Sequence, residues 1–478
     1  MKIKKKLLLP IEITTRELDS RLLIALRVLQ VNPDWEIIFG HTNKVGNYWR
    51  NKKNSHPFIF VSKGTHYSKL FYMNLIKKGG FYFLLDEEGA IFSDYVVKVF
   101  PRGGTNNDLI KYMSKIFFWG NHVKKQYKKN HSLYLSDHKI EVTGNPRFDL
   151  CKEEYEIFHS TISKHSYKKK NFIMIDTAFG GCNNIIDVES QHHHWKNLKY
   201  EKNRGEVRGN EWRDKNKPLY EYQKVLFPKF IEGIKHLCLN FPDIEFLLRP
   251  HPVEKVETHI EYFKDIKNIK ISNIGTAVEK FRYAKMLIHN GCSTSVEATF
   301  SNVPSLCFLP FYDEEKVQSL PRDISIIVFN KEDLILQVKK IFNNNLPENH
   351  IATKKKYLKD YIDNIYYDSS KKIANIINNF DLTQKIKLDY DFTLRSLVHI
   401  LFPNFLMKFL RIIRYQLIPF FINKDVSNSF QKRDDIKFKG LSIEDINIKV
   451  NALRDTDPGL PNPQIKVMDH QLYKLYIK

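Results

Sequence analysis

Cysteine is scarce in this sequence, and no two cysteines are close together. The number is odd and no CxxC pair occurs, the residues being Cys151, Cys182, Cys238, Cys292 and Cys307. A disulfide framework or a zinc site would need cysteines in pairs or clusters at characteristic spacings. The sequence therefore indicates neither, and a reducing, cytoplasmic location is expected.

The chain also lacks a complete signal sequence and any nucleic-acid-binding motif. In the opening MKIKKKLLLPIEI, Pro10 and Glu12 interrupt the apolar run too early for the core of a signal peptide. No zinc finger or aromatic RNP pattern occurs, so nucleic acid is not an expected partner. Acidic residues are outnumbered, 54 against 76 basic ones, and the formal charge of +22 favours anionic partners in general.

The pattern of apolar runs predicts the fold class. At 478 residues the chain is too long for one compact core. Short apolar runs alternate with helix-like stretches over 1–165 and again over 166–380, as in parallel sheets flanked by helices. We therefore expect an α/β protein with two Rossmann-like domains facing across a cleft, and ligands at the carboxyl ends of the strands. Residues 381–478 are expected to form a basic, partly amphipathic helical appendage.

A row of carboxylates follows one of the predicted strands, in LLDEEGAIF at 84–92. Asp86, Glu87 and Glu88 stand where the chain leaves the strand, and Gly89 permits a sharp exit turn. Crowding of three acids should raise the pKa of one of them towards neutrality, which suits a general base. A solvated turn with ordinary acidic residues is the alternative.

A histidine between two prolines follows another predicted strand, in LLRPHP at 247–252. The prolines restrict the backbone of His251 and orient its ring, next to Arg249, which suits contact with a phosphate. A purely structural histidine is the alternative.

A third strand end, in HNGCSTSVEATFSNVPSL at 289–306, carries small and hydroxyl residues. We expect them to cap a helix that begins near Val296, whose N-terminus would bind phosphate. An ordinary N-cap, which needs only one hydroxyl, is the alternative. The residues concerned are Asn290, Gly291, Ser293, Thr294 and Ser295.

These motifs resemble those of known enzymes in order and in placement. Glu87-Glu88-Gly89, His251-Pro252 and Ser293-Thr294-Ser295 resemble the acidic-acidic-glycine, His-Pro and serine-rich motifs of bacterial GT-B sialyltransferases and polysialyltransferases. LLPIEITTRELDSRLLIAL, LDEEG and TGNPRFDL are similar to the bacterial surface carbohydrate biosynthesis proteins and to Kdo-transferase-like glycosyltransferases. The resemblance covers about residues 1–380.

The resemblance implies a GT-B glycosyltransferase that moves a nonulosonic acid or Kdo-like sugar from a CMP donor to a surface polysaccharide or lipid-linked glycan. Glu88 would be the general base, with Glu87 as the alternative and Asp86 in support. His251 would protonate or hydrogen-bond the departing phosphate, so that neither a metal nor a cofactor is expected. The remaining donor-binding residues would be Arg249, Pro252, Gly180, Gly181, Asn290, Gly291, Ser293, Thr294, Ser295 and Glu297.

Two other classes of protein fit the motifs. Another GT-B enzyme, a UDP-sugar 2-epimerase or a polyol-phosphate transferase, would also show TGNP and a phosphate-binding helix end. A non-catalytic subunit of a polysaccharide assembly complex would bind no nucleotide. The stereochemical outcome, inverting or retaining, stays open.

Two further segments have their own predictions. Residues 393–424 combine strong hydrophobicity with Lys408, Arg411 and Arg414 and contain two prolines, so we expect peripheral binding to the anionic inner face of the cytoplasmic membrane. A helix packed on the core is the alternative. The polar stretch 182–218, with its consecutive histidines at 192–194, is expected to be an insertion or an acceptor loop rather than a metal site.

Overall fold

A computed structural model describes residues 5–51, 56–63, 67, 69–87, 107–131, 137–163, 172–186, 202–386 and 437–478. The chain divides into two compact units. The first unit draws on 1–164, 356–406 and 438–478, and the second on 165–355 and 407–437.

The strands of the described residues, in chain order, are β1 (Lys5–Ile11), β2 (Trp35–His41), β3 (Phe58–Ser62), β4 (Gly80–Leu85), β5 (Met113–Phe118), β6 (Ile140–Val142), β7 (Phe172–Asp176), β8 (Glu245–Arg249), β9 (Ile269–Ile271), β10 (Ala284–His289), β11 (Ser305–Phe308), β12 (Ile326–Val328), β13 (Gln464–Asp469) and β14 (Leu472–Tyr476).

The α-helices are α1 (Thr14–Val31), α2 (Thr42–Arg50), α3 (Lys69–Lys77), α4 (Asn121–His131), α5 (Pro146–Asp149), α6 (Glu156–Ile162), α7 (Lys202–Asn240), α8 (Val256–Phe263), α9 (Ala277–Phe281), α10 (Thr294–Phe300), α11 (Ser319–Asp323), α12 (Lys331–Phe342), α13 (His350–Leu358), α14 (Ser369–Asn378) and α15 (Ile443–Thr456). Short 3₁₀ turns cover Asn107–Tyr112, Asp137–Lys139, Glu153–Tyr155 and Asp363–Ile365.

The first unit contains a sheet with the order β13-β14-β2-β1-β3-β4-β5-β6. Its strands β1 to β6 are parallel, and their apolar runs are buried because helices cover the sheet. The carboxyl ends of β4, β5 and β6 therefore lie side by side at one edge. The three ends are followed by Asp86-Glu87, Trp119-Gly120 and TGNP.

The second unit contains a parallel sheet with the order β12-β11-β10-β7-β8-β9. If β7 to β12 are numbered 1 to 6 and the sheet is read from β9 to β12, the order is 3-2-1-4-5-6. This is the dinucleotide-binding arrangement, in which ligands bind where the strand order reverses. That point lies between β7 and β10. The α/β prediction with two Rossmann-like units is thus confirmed by the strand orders.

The structure divides the chain differently from the predicted boundaries at 165 and 380. Helix α14 packs against α1 in the first unit, and Asn378 Oδ1 accepts a hydrogen bond of 2.8 Å from Trp35 Nε1. The C-terminal residues 437–478 are not a separate helical appendage. Strand β14 pairs with β2, antiparallel, and Ile446 and Leu453 of α15 are buried in the same core.

Candidate functional site

Three of the predicted motifs in the second unit meet at the carboxyl edge of its sheet. In the strand register Asp176 of β7 lies opposite both Arg249 of β8 and His289 of β10. Arg249 Nη1 lies 3.6 Å from Asp176 Oδ2, and Arg249 Nη2 donates to the Gly275 carbonyl at 3.0 Å. The RPHP loop and the NGCSTS loop thus flank the end of β7, where the strand order reverses.

His251 lies in the turn after β8, between Pro250 and Pro252. Its Nδ1 accepts a hydrogen bond from the Val253 amide at 3.3 Å. The neutral ring therefore carries its proton on Nε2, which makes that nitrogen a donor. A donor of this kind fits the phosphate contact that the sequence predicts.

Glu254, which the sequence analysis did not select, holds the loops after β7 and β8 together. It is 1% exposed. Its Oε1 accepts from the amides of Phe179 at 2.8 Å and His251 at 3.3 Å. Its Oε2 accepts from Thr177 Oγ1 at 2.9 Å and His259 Nε2 at 2.8 Å. One buried carboxylate thereby fixes the backbone on both sides of the candidate phosphate site.

His289 shapes the loop after β10 in a similar way. Its Nδ1 accepts from the amides of Gly291 at 3.0 Å and Cys292 at 3.1 Å, so Nε2 carries the proton and donates to Ser325 Oγ at 2.8 Å. Burial lowers the pKa of His289 to about 3, which keeps the ring neutral. Gly291 adopts φ +93°, in the region that favours glycine.

The hydroxyl residues of this loop have different environments. Helix α10 begins at Thr294, two residues before the predicted start near Val296, and Ser293 makes no side-chain cap bond. Ser295 is buried, and its hydroxyl donates to the Cys292 carbonyl at 3.1 Å. Ser295 is therefore occupied within the protein, whereas Glu297 lies half-buried in the first turn of α10.

The loop after β7 is anchored to its surroundings by side chains. Asn290 Oδ1 accepts from the Ala178 amide at 2.8 Å. Gln223 of α7 accepts from the Gly181 amide and donates to the Ala178 carbonyl, both at 2.8 Å. A Cβ at Gly181 would lie 2.5 Å from Gln223 Oε1, and one at Gly180 2.8 Å from a Val253 methyl carbon. A side chain at either position would therefore force a neighbouring side chain to move.

Asp176 is the titratable group at the centre of this edge. Burial raises the pKa of Asp176 to about 6, although Arg249 and a hydrogen bond from Thr294 act in the opposite direction. With this pKa, Asp176 is mostly ionised at neutral pH, and Arg249 supplies the neighbouring positive charge.

In the first unit, Glu87 is held in a buried ion pair. Glu87 Oε1 lies 2.9 Å from Arg21 Nη2 of α1, and both side chains are 1% exposed. Asn145 Nδ2 also lies 3.3 Å from Glu87 Oε2. A base must reach the proton that it abstracts, so this geometry makes Glu87 a poor candidate. Glu88 and Gly89 lie outside the described residues.

The TGNPRFD segment joins the neighbouring strand ends. Asn145 Nδ2 and Trp119 Nε1 donate to the Asp86 carbonyl at 2.9 and 2.7 Å. Gly144 has φ +73°, and a Cβ there would lie 2.1 Å from Asn364 Oδ1. Asp86 and Glu87 are therefore fixed by the backbone and side chains of the β5 and β6 ends.

Asp149, at the end of this segment, caps a distant helix. Its two carboxylate oxygens accept from the amides of Ser369 at 2.9 Å and Ser370 at 2.7 Å, at the start of α14. Burial raises the pKa of Asp149 to about 6, partly offset by Lys152 and the hydrogen bonds. TGNPRFD thus acts as a structural junction of the first unit.

Sequence analysis missed Arg21, Glu254 and His289 as determinants of these sites. Arg21 has a recognisable signal, because it is a charged residue within a largely apolar predicted helix. Glu254 has another, because it is an acidic residue that closely follows RPHP. His289 ends a strand and directly precedes the motif. The partners of all three depend on tertiary contacts, which a single sequence does not show.

The described parts of the chain contain no group of three or more His, Cys, Asp or Glu side chains that could hold a metal ion. Within those same residues, no helix has the length and apolarity needed to cross a membrane. The histidines at 192–194 and the segment 393–424 lie outside the described residues, while 202–218 belong to α7 rather than to a loop.

No protein-family model matches the sequence, and the search of curated proteins also finds no match. Among solved structures, the wall teichoic acid polymerase TagF is similar over 81% of this chain and 91% of its own, with 13% identity and a TM-score of 0.49. A putative UDP-N-acetylglucosamine 2-epimerase from Listeria monocytogenes is similar over 81% of this chain and 100% of its own, with 14% identity and a TM-score of 0.48.

The UDP-GlcNAc 2-epimerase from Methanocaldococcus jannaschii, solved in complex with UDP-GlcNAc and UDP, covers 79% of this chain and 99% of its own. Its identity is 15% and its TM-score 0.45. Similarity at this level does not define a substrate, and the strand orders given above define the fold of each unit.

Proposed function

We propose that the second unit binds a nucleotide-activated sugar and that the protein is a glycosyltransferase of surface-glycan synthesis. The observation that carries this proposal is the meeting of Arg249, His251 and the Gly291–Thr294 loop around the end of β7. This is the ligand position of a 3-2-1-4-5-6 sheet, and its residues include a guanidinium, an imidazole donor and the Ser293 hydroxyl. Such groups stabilise a departing phosphate.

The finer proposal is that the donor is a CMP-linked acidic sugar, a nonulosonic acid or Kdo-like residue. It is supported by the ordered set of motifs at 87–89, 251–252 and 293–295. Transfer breaks the bond between the sugar's anomeric carbon and the phosphate oxygen, and the acceptor oxygen forms the new bond while it loses its proton. The cytidine monophosphate leaves with the bonding electrons.

The proposal assigns a role to each of three residues. His251 Nε2 donates to the leaving phosphate, and Arg249 adds a fixed positive charge. Glu88 keeps the role of general base, since Glu87 is committed to Arg21. The proposed acceptor is a surface polysaccharide or a lipid-linked glycan.

The test is a calorimetric titration of the full chain with CMP, UDP and CDP-glycerol, each in the presence of EDTA. CMP is expected to bind most tightly. His251→Ala is expected to weaken CMP binding and to slow CMP release from a donor by about 10²- to 10³-fold, as when one preorganised donor is removed. His470→Ala, which changes an exposed histidine in the first unit, serves as the control.

Preferred binding of UDP or CDP-glycerol would replace the donor assignment with that of an epimerase or a polyol-phosphate transferase. Binding of no nucleotide at all would favour the non-catalytic subunit and would overturn the proposal. Full turnover in Glu88→Gln would remove the LDEEG motif from the mechanism.

We also propose that residues 393–424 bind an anionic membrane surface. Deleting everything after residue 392 would not test this alone, because the deletion would also remove β14, which pairs with β2. Changing Lys408, Arg411 and Arg414 together to Gln preserves that strand. The triple variant is expected to lose sedimentation with anionic liposomes, and unchanged sedimentation would contradict the assignment.

A further inference from the structure

A cavity of about 560 Å³ lies in the first unit, away from the motif residues. Its walls come from the amino ends of β5 and β6 and from the C-terminal half of α14. Lys111, Lys115, Lys139 and Lys372 line it on the charged side, and Ile376 and Phe380 on the apolar side.

The cavity and Glu87 lie at opposite ends of the same strands. Leu85, just before Asp86, pairs with Phe117 at the carboxyl end of β5, whereas Met113 at its amino end lines the cavity. Four residues of strand separate these positions, roughly 13 Å at 3.3 Å per residue. The cavity is therefore distinct from the LDEE and TGNP strand ends.

Lys115 and Lys372 have carboxylate partners. Lys115 Nζ forms an ion pair with Glu141 and donates to the His138 carbonyl at 2.7 Å. Lys372 Nζ lies 3.4 Å from an Asp363 carboxylate oxygen. These two cations are thus at least partly neutralised.

Lys139 is different. Its Nζ donates to the Lys111 carbonyl at 2.9 Å, and no carboxylate of the described residues forms an ion pair with it. Burial lowers the pKa of Lys139, as expected for an ammonium that water solvates only in part. A partly buried cation without a counter-charge is unfavourable, and an anion in the cavity would supply that charge.

The charge of the whole lining also favours an anion in the cavity. Four lysines and two carboxylates, Glu141 and Asp381, line the cavity, and Asp363 pairs with Lys372 from outside the lining, so the lysines still outnumber the carboxylates. A phosphate group that carries about −1.5 to −2 charge at neutral pH is attracted to such a basic lining. Lysine ammonium groups bind phosphate as point charges.

We propose that this cavity binds a phosphate group, with Lys139 as its principal ligand and, where the phosphate is esterified, with the uncharged part of the molecule against Ile376 and Phe380. The source of the phosphate group is either free phosphate or the headgroup of an amphiphile. The apolar wall favours a phosphate that is attached to an apolar or ring-shaped group.

The test uses the full chain, inorganic phosphate and a short-chain phosphatidic acid below its micelle concentration, both titrated by calorimetry. All titrations are repeated in His251→Ala, so that binding at the proposed nucleotide site is not mistaken for binding here. Lys139→Met is expected to weaken binding of the phosphate compound at least 10-fold in either background. Lys285→Met, a lysine of the second unit that bonds Asn344, is expected to change nothing.

Tight binding of phosphatidic acid alone would identify an amphiphile headgroup, and equal binding of both probes would identify free phosphate. Either result supports the site when Lys139→Met weakens that binding at least 10-fold. Equal affinity in the wild type and in a folded Lys139→Met or Lys139→Glu variant would overturn the proposal, as would the binding of neither probe. Loss of binding in His251→Ala but not in Lys139→Met would assign the phosphate to the nucleotide site.

Discussion

The polar strand ends of the two units use buried carboxylates in different ways. In the first unit, Glu87 is paired with a cation, Arg21, on a helix. In the second unit, Glu254 accepts hydrogen bonds from two backbone amides, a hydroxyl and an imidazole. The first arrangement joins a strand end to a helix, and the second holds two loops in place beside His251. In both units, a buried carboxylate at a strand end thus positions the residues around it.

The largest expected effect is on the buried ion pair. Glu87→Gln leaves Arg21 buried without its counter-charge, which should lower the free energy of unfolding of the first unit by about 3 to 5 kcal/mol. Scanning calorimetry measures the change. Asp469→Asn removes the exposed ion pair with Lys44 in the same unit and should leave the transition nearly unchanged. An equal effect of the two variants would show that the buried pair does not stabilise the unit.

The next effect concerns Asp176 and pH. Because its folded-state pKa of about 6 lies above the usual value of 3.8, the folded protein keeps a proton that the unfolded chain has lost between these pH values. The resulting stability is present below pH 4 or so and is lost as the pH rises through about 6, a total of roughly 3 kcal/mol. Urea unfolding between pH 4 and 7 measures it.

Asp176→Asn should remove this part of the pH dependence. His289 stays neutral throughout the window, because burial lowers its pKa to about 3. Identical pH profiles for the wild type and Asp176→Asn would mean that Asp176 is ionised in the folded protein, with Arg249 outweighing the effect of burial.

A smaller effect is expected at Glu254. Glu254→Gln replaces one acceptor oxygen by a donor that faces Thr177 or the two backbone amides, at a cost of about 2 kcal/mol for a lost charged hydrogen bond. Hydrogen exchange should accelerate at 177–181 and 251–254, and CMP affinity should fall with the loss of loop order. The exposed Glu257→Gln, one turn away, is the control. Unchanged exchange in Glu254→Gln would remove the positioning role.

The smallest effects separate two hydroxyl residues of the segment after β10, Ser295 and Ser293. Ser295→Ala deletes a buried hydroxyl that donates to Cys292, at about 1 kcal/mol. Ser293→Ala should leave stability unchanged, because Ser293 forms no side-chain cap bond. In the proposed site it should lower CMP affinity instead. A fall in stability for Ser293→Ala, without a change in affinity, would place it among the structural residues.

Much of the fold could be predicted from the sequence. The apolar runs at β1 to β8, β10 and β11 are long enough to indicate buried parallel strands, and α1 shows helical spacing. The strands β9, β12, β13 and β14 were missed. β9 and β12 have only three residues each, and β13 is an exposed edge strand. The predicted motifs lie at strand ends, but the sequence did not show which side chains hold them in place.

By itself, the sequence determined the α/β class, the two series of strands and the positions of the polar segments at strand ends. These follow from local properties, namely apolar period, glycine and proline placement, and residue type. Only the tertiary structure decided that Glu87 pairs with Arg21, that Glu254 joins two loops and that β14 completes the first sheet. Such partners are far apart in the chain, and their pairing depends on the exclusion of water in a core that forms only when the whole unit has folded.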